Sequence, residues 1–186
     1  MPTQKIINEH KGLMEKALEH LLGEFKSVRT GRASTGLVEN IRVDYYGTPT
    51  PLKQLATLST QDGTTIIIKP FDPASIKEIE KTIKNSDLSI NPMSDGKVIR
   101  LSVPPLSQER RKQLAAQVKQ LGEQSKVSIR NIRRDAIKKL DDAEKAKTIT
   151  EDDRERGKKT IDDLTKEFTD KIESAIKHKS DEVMKD

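Results

Sequence analysis

The chain contains no cysteine, which excludes disulfides, cysteine-ligated metals and thiol redox chemistry, and fits a reducing compartment. Aromatic residues make up only 3% and tryptophan is absent, so the core has to be aliphatic and narrow, as in helical bundles, rather than a thick sandwich. No run of 18 apolar residues occurs, which excludes an ordinary transmembrane helix. The opening MPTQKIINEHKG lacks the apolar stretch of a secretory signal and the acid-poor, Arg/Ser-rich look of a transit peptide. A cytoplasmic protein with no membrane partner is expected.

Catalytic signatures are missing as well. No GxxxxGK phosphate loop followed by Ser or Thr is present, so any nucleoside triphosphate would belong to a partner. His10, His20 and His178 form no HExxH pair; on a helix His10 and His20 would lie about 80° apart and nearly three turns apart, too far to share a metal. They read as surface histidines. The acid pairs Asp152-Asp153 and Asp162-Asp163 fall where nothing desolvates them, so no raised carboxyl pKa is expected. The expectation is no catalytic residue, no metal, no cofactor and no enzyme.

What the chain does have is charge, 35% of its 186 residues, with Lys+Arg 35 against Asp+Glu 30. Three segments carry it with helical period. Ile6, Ile7, Met14, Leu18, Leu21, Phe25 and Val28 recur at steps of three, four and seven. A second stripe runs Leu114, Val118, Leu121, Ser125, Ile129, Ile132, Ala136, Leu140 and Ala143, after the stop signal Pro104-Pro105 and with Ser107 as N-cap. A third runs Ile161, Leu164, Phe168, Ile172, Ala175 and Val183, opened by a capping box from Thr150 to Asp153. Three such stripes bury one another in an elongated three-helix bundle.

The middle of the chain has another rhythm. NIRVDY alternates, TTIIIK and VIRLSV are β-rich, and GTPTP, QDG, FDP and NPMSDG read as punctuation. Between them DPASIKEIEKTIKNS offers Asp72 as N-cap, Pro73 at the first helical position and Ile76, Ile79 and Ile83 as a stripe. The fold class is therefore α+β: a bundle of residues 1–31 and 105–186, with a β/α/β domain of 32–104 inserted after the first helix. Two crossovers join them, Thr30-Gly31-Arg32 and Val103-Pro104-Pro105. Gly31 suits a helix C′ position and the prolines stiffen the return; the pair reads as a hinge or as a simple crossover.

Residues 107–147 hold twelve bases and six acids. Lys112, Lys119, Lys126 and Arg133 are spaced by seven, flanked by Arg130 and Arg134 and turned away from the apolar stripe. A basic stripe on a rod suits a phosphate backbone, and a solvated helix face is the plainer alternative. The arginines favour phosphate, because a planar guanidinium matches its oxygens with two donors. Arg29 and Arg32 read equally as dipole partners of the first helix or as RNA contacts, and Tyr46 as an edge-packed ring rather than a base-stacking platform. Gly12, Gly23, Gly122 and Gly157 interrupt helices, by close packing or by fraying.

RTGRAS at 29–34, VDYYGTPTPLKQLA at 43–56, SDLSINPMSDG at 86–96, IRLSVPPLSQERRK at 99–112 and SIRNIRRDA at 128–136 resemble bacterial ribosome recycling factor. The resemblance covers nearly the whole chain in order. It implies an L-shaped molecule, with bundle and inserted domain joined by a hinge, acting as a monomer with elongation factor G and GTP bound by that partner. It implies that the post-termination ribosome is split into subunits, freeing mRNA and tRNA, with the bundle docked on large-subunit rRNA near the peptidyl-transferase region and the inter-subunit bridges. Carried residue by residue, the RNxRRD arginines fall on Arg130, Arg133 and Arg134 and the RTGR arginines on Arg29 and Arg32. The rival reading is a basic coiled-coil adaptor or RNA-binding scaffold without recycling activity.

Overall fold

The computed structural model describes residues 2–185. Five helices, α1 (Pro2–Ser27), α2 (Leu52–Leu55), α3 (Ile76–Lys84), α4 (Gln108–Lys145) and α5 (Glu151–Met184), alternate with six strands. Among the described residues the chain divides into two compact units, one of 2–25 with Ala116–Asp181, the other of Lys26–Ala115 with 182–185.

The first unit is built by α1, α4 and α5. Ile7 of α1, Ala136 and Leu140 of α4, Ile149 of the connecting loop and Ile161 of α5 form one buried cluster, with Ile6, Ile137, Ala143 and Leu164 around it. Met14, Leu21, Ile129, Phe168 and Ile172 extend the buried stripes. Each such side chain stabilises the fold by roughly 1.5–3 kcal/mol of removed apolar surface. The helix ends are satisfied locally. Arg110 N donates to Ser107 Oγ at 3.2 Å, and Thr150 and Asp153 exchange side-chain acceptors for backbone donors at 3.3 and 3.1 Å, the expected capping box. At the end of α4, Thr148 N reaches Ala143 O and Lys147 N reaches Glu144 O, a Schellman closure with Lys147, at φ 59, where glycine is usual.

One histidine departs from the surface expectation. His10 is 0% exposed; its Nδ1 lies 2.7 Å from Ile6 O and its Nε2 2.8 Å from Asp135 Oδ2. It sits three residues after Ile7 and four before Met14, on the apolar stripe itself, so the helical period alone points to burial.

In the second unit, strands β3 (Ala56–Gln61), β4 (Thr65–Pro70), β5 (Pro92–Ser94) and β6 (Ile99–Ser102) form an antiparallel sheet in the order β3-β4-β6-β5. Strands β1 (Arg42–Tyr45) and β2 (Thr48–Pro51) form a separate hairpin. Ile76, Ile79 and Ile83 of α3 bury against Ile66 and Ile68 of β4 and Ile99 and Leu101 of β6, with Leu37, Val38, Val43 and Leu52 in the same core. Asp72 Oδ1 accepts from Ala74 N at 2.9 Å, opening the turn before α3. Strands β2 and β5 occupy stretches read from sequence as punctuation. Their prolines sit on a two-stranded hairpin and at the start of an edge strand, places where a missing N–H costs no ladder bond.

Candidate nucleic-acid interface

Helix α4 spans 38 residues, a rod of about 57 Å at 1.5 Å per residue. Its basic residues do not share one fate. Lys126 is folded down to 15% exposure, its Nζ 3.1 Å from Glu173 on α5 and 3.2 Å from Glu123. The Glu173 bond, chiefly, holds its ammonium above the usual lysine value. Arg133 Nε donates to Asp162 on α5 at 2.6 Å, leaving the side chain 41% exposed. Lys139 bridges Glu9 at 3.1 Å and Asp135 at 3.6 Å. The acids that make α5 net negative thus neutralise part of the α4 stripe.

Arg130 and Arg134 are exposed, and among the described residues neither has an ion pair. They lie one turn apart, and like charges at that spacing repel by a few tenths of a kcal/mol in the free protein. Lys119 is exposed on the same helix, and Lys112, also exposed, belongs to the second unit. The bare pair supplies two guanidinium forks with every donor available to an incoming anion. Sequence spacing located these residues; which of them would be tied up by α5 and α1 required the third dimension.

The crossovers both fall within the second unit. Helix α1 ends at Ser27, so Gly31 is not the C′ residue expected of it, although its φ of 82 is one that glycine alone adopts freely. Thr30, Gly31 and Arg32 make no backbone–backbone hydrogen bonds among the described residues, whereas Ala33 N is held by Gly63 O at 2.9 Å and Val103 N by Thr64 O at 2.8 Å. Pro104 and Pro105 are exposed. Arg29 does not cap α1: its Nη2 donates to Pro104 O, tying one crossover to the other. Its Nε is buried with no partner. Burial, and secondarily the charge of Arg110, pull its pKa below the usual arginine value. Arg32 is exposed. Nearby, buried Arg111 donates to Leu106 O at 3.3 Å and Lys185 O at 2.8 Å, fastening the carbonyl end of α5 within this unit.

A helical unit carrying a bare arginine pair and a small antiparallel unit in one chain define an α+β architecture that recurs in solved structures. A solution structure of the ribosome recycling factor aligns with a TM-score of 0.76 at 36% identity, covering 99% of this chain and 98% of that one. A second match comes from models of the T. thermophilus ribosome recycling factor and the E. coli elongation factor G bound to the E. coli post-termination complex, with a TM-score of 0.68, 37% identity and full coverage of both chains. The family model described as ribosome recycling factor matches residues 21–184. The ribosome-recycling factor of Oleidesulfovibrio alaskensis is 49% identical over 179 residues, 96% of this chain and 97% of that protein. The chain belongs to the ribosome recycling factor family. Among the described residues no helix is long and apolar enough to cross a membrane.

Proposed function

We propose that this chain, as a cytoplasmic monomer, splits the post-termination ribosome into subunits together with elongation factor G and the GTP bound by that partner. The chain has no cofactor and no catalytic step of its own. The chain anchors on large-subunit rRNA along α4, through Arg130 and Arg134 with Arg133, Lys126 and Lys119 flanking and Lys112 nearer the start of the helix, and the inserted domain of residues 32–104 swings about Thr30-Gly31-Arg32 and Val103-Pro104-Pro105. Family membership over residues 21–184 carries the activity. The Arg130–Arg134 turn supports the anchor, because a phosphate would relieve a repulsion that no acid among the described residues neutralises. Supporting the hinge are the positive φ of Gly31 and the lack of backbone hydrogen bonds at 30–32.

Light scattering of purified post-termination ribosomes tests the activity. Scattering should fall only when this chain, elongation factor G and GTP are all present; no fall under those conditions would favour the adaptor reading.

A further inference from the structure

Helix α3 buries one side and leaves the other unmatched. Ile76, Ile79 and Ile83 enter the core of the second unit, while Lys77, Lys81 and Lys84 are exposed. At 100° per residue the three lysines fall within about 60° of one another, along roughly 10 Å of helix axis. Glu78 and Glu80 stand on the same helix, yet among the described residues none of the three ammonium groups has an ion pair. Like charges three and four residues apart repel by a few tenths of a kcal/mol per pair.

Helix energetics account for only part of this line. The dipole favours Lys81 and Lys84, which lie in the last turn of α3, and opposes Lys77 in the first. Lys77 nonetheless shares their side. All three lysines line an open recess of about 470 Å³ between α3 and the start of β5, bounded opposite them by Asn91 and Pro92, with Glu80 as its one acid. Strand β5 is the edge of its sheet, so no further strand covers that wall.

The chemistry of the recess selects its occupant. An acidic protein segment is held by guanidinium forks and apolar anchors; the recess has no arginine, and Pro92 is its one apolar residue. A lysine is a point charge on a flexible stem, suited to following a run of phosphates. Nothing in the recess stacks a base. Tyr46, 80% exposed in place of the edge-packed ring expected from sequence, and Phe71, 69% exposed, do not line it. We propose that this side of α3 is a second RNA-binding surface, separate from the arginine pair of α4. Lys77, Lys81 and Lys84 take the phosphate backbone, the Asn91 amide supplies a neutral donor opposite them, and no base is read. The charge pattern argues for a phosphate polymer; that the polymer is RNA rests on the function proposed above.

The test uses the full chain carrying Arg130→Ala and Arg134→Ala, which remove the α4 pair, and follows a dye-labelled single-stranded RNA of mixed sequence by fluorescence anisotropy at low salt. This chain should still bind. Adding Lys77→Gln, Lys81→Gln and Lys84→Gln should weaken binding about tenfold or more and lower the slope of log affinity against log salt by about 2, the counterions of three phosphate contacts. Glu80→Gln alone should tighten binding. Lys53→Gln, Lys69→Gln and Lys97→Gln together remove the same charge from exposed positions of the same unit and should leave the affinity nearly unchanged. Equal losses in the two triple variants would reduce the effect to net charge and overturn the proposal, as would no binding by the starting chain. Displacement of the RNA by poly-glutamate of equal charge at equal concentration would assign the surface to an acidic protein instead. If the unaltered chain fails to split ribosomes the recycling function falls, while the anisotropy still reports whether this surface holds RNA.

Discussion

Arg130 and Arg133 are three residues apart on one helix, yet among the described residues Arg133 has an ion-pair partner and Arg130 has none. The two should therefore respond differently to truncation. Arg130→Ala and Arg134→Ala remove exposed side chains that make no ion pair among the described residues, so thermal unfolding should move by no more than about 0.5 kcal/mol. Affinity for large subunits should fall roughly ten- to a hundredfold, the worth of a charge-assisted contact of about 1.5–3 kcal/mol. Arg133→Ala also loses its exposed ion pair with Asp162, worth up to about 1 kcal/mol. Pelleting with large subunits, alongside thermal melts, separates these effects; unchanged pelleting of both Arg130→Ala and Arg134→Ala would remove the pair from the anchor. His10 behaves oppositely, as a buried structural residue. His10→Ala should cost about 2–4 kcal/mol in urea unfolding, through lost packing and unmet hydrogen bonds, and stability within 0.5 kcal/mol of the unaltered chain would contradict that role. Its partner Asp135 has its carboxyl held below the usual range, first by the His10 hydrogen bond and then by Lys139. A depressed folded pKa contributes stability above the unfolded value near about 3.9 and loses it as pH falls through the lower folded value. Asp135→Asn should therefore flatten the acid limb of stability, by less than about 1 kcal/mol because the carboxylate is half exposed. An acid limb as steep as before would show that Asp135 carries none of it. The basic cluster could be read from spacing at this scale. The partners of Lys126 and Arg133 could not, because Glu173 and Asp162 lie tens of residues away on another helix.

Among the elements, the helices and their caps were the most legible part of the fold. The stripes on α1, α4 and α5 repeat over many turns, and Ser107, Asp72 and Thr150 with Asp153 each make the cap their residue type suggests. Strands β2 and β5 were missed because proline punctuates TPTP and NPMSDG, and only the position of a strand at an edge tells a tolerated proline from a turn; β3 was missed because ATLSTQ holds only two apolar residues, Ala56 and Leu58. Glycines inside helices were ambiguous in sequence and are distinct in space. A Cβ at Gly12 would meet nothing within 4 Å, whereas one at Gly122 would run into the side chain of Ile176, and one at Gly157 would lie 3.0 Å from Leu140 and 3.1 Å from Thr3. Gly12→Ala should accordingly gain up to about 1 kcal/mol of helix propensity, visible as a rise of roughly 2–4 °C in melting temperature. Gly122→Ala should not show that gain, since overpacking costs about 1–3 kcal/mol. Equal melting shifts in the two variants would mean that close packing of α4 on α5 does not constrain this position.

For the whole molecule, the proposed mechanism separates anchoring by α4 from movement of the inserted domain. Docking of a basic helix on RNA releases counterions, so affinity for isolated large subunits should fall steeply between low and moderate salt; salt-insensitive binding would favour a protein-binding adaptor. Movement can be followed directly because the chain has no cysteine to remove. Asp142→Cys and Lys97→Cys, at exposed positions in different units, would carry a dye pair. Energy transfer between them should change when elongation factor G and GTP are added to ribosome-bound protein. Splitting without any such change would remove the hinge from the mechanism while leaving the anchor in place.

The central claim is that splitting depends on a bare arginine pair that holds the chain to the ribosome. It is tested most directly by light scattering with the Arg130→Ala/Arg134→Ala double variant, titrated against the unaltered chain at fixed elongation factor G and GTP. The double variant should split ribosomes slowly at concentrations where the unaltered chain saturates, and recover as its concentration rises about a hundredfold or more, the signature of a lost anchor. Full-rate splitting by the double variant at the original concentration would contradict the account.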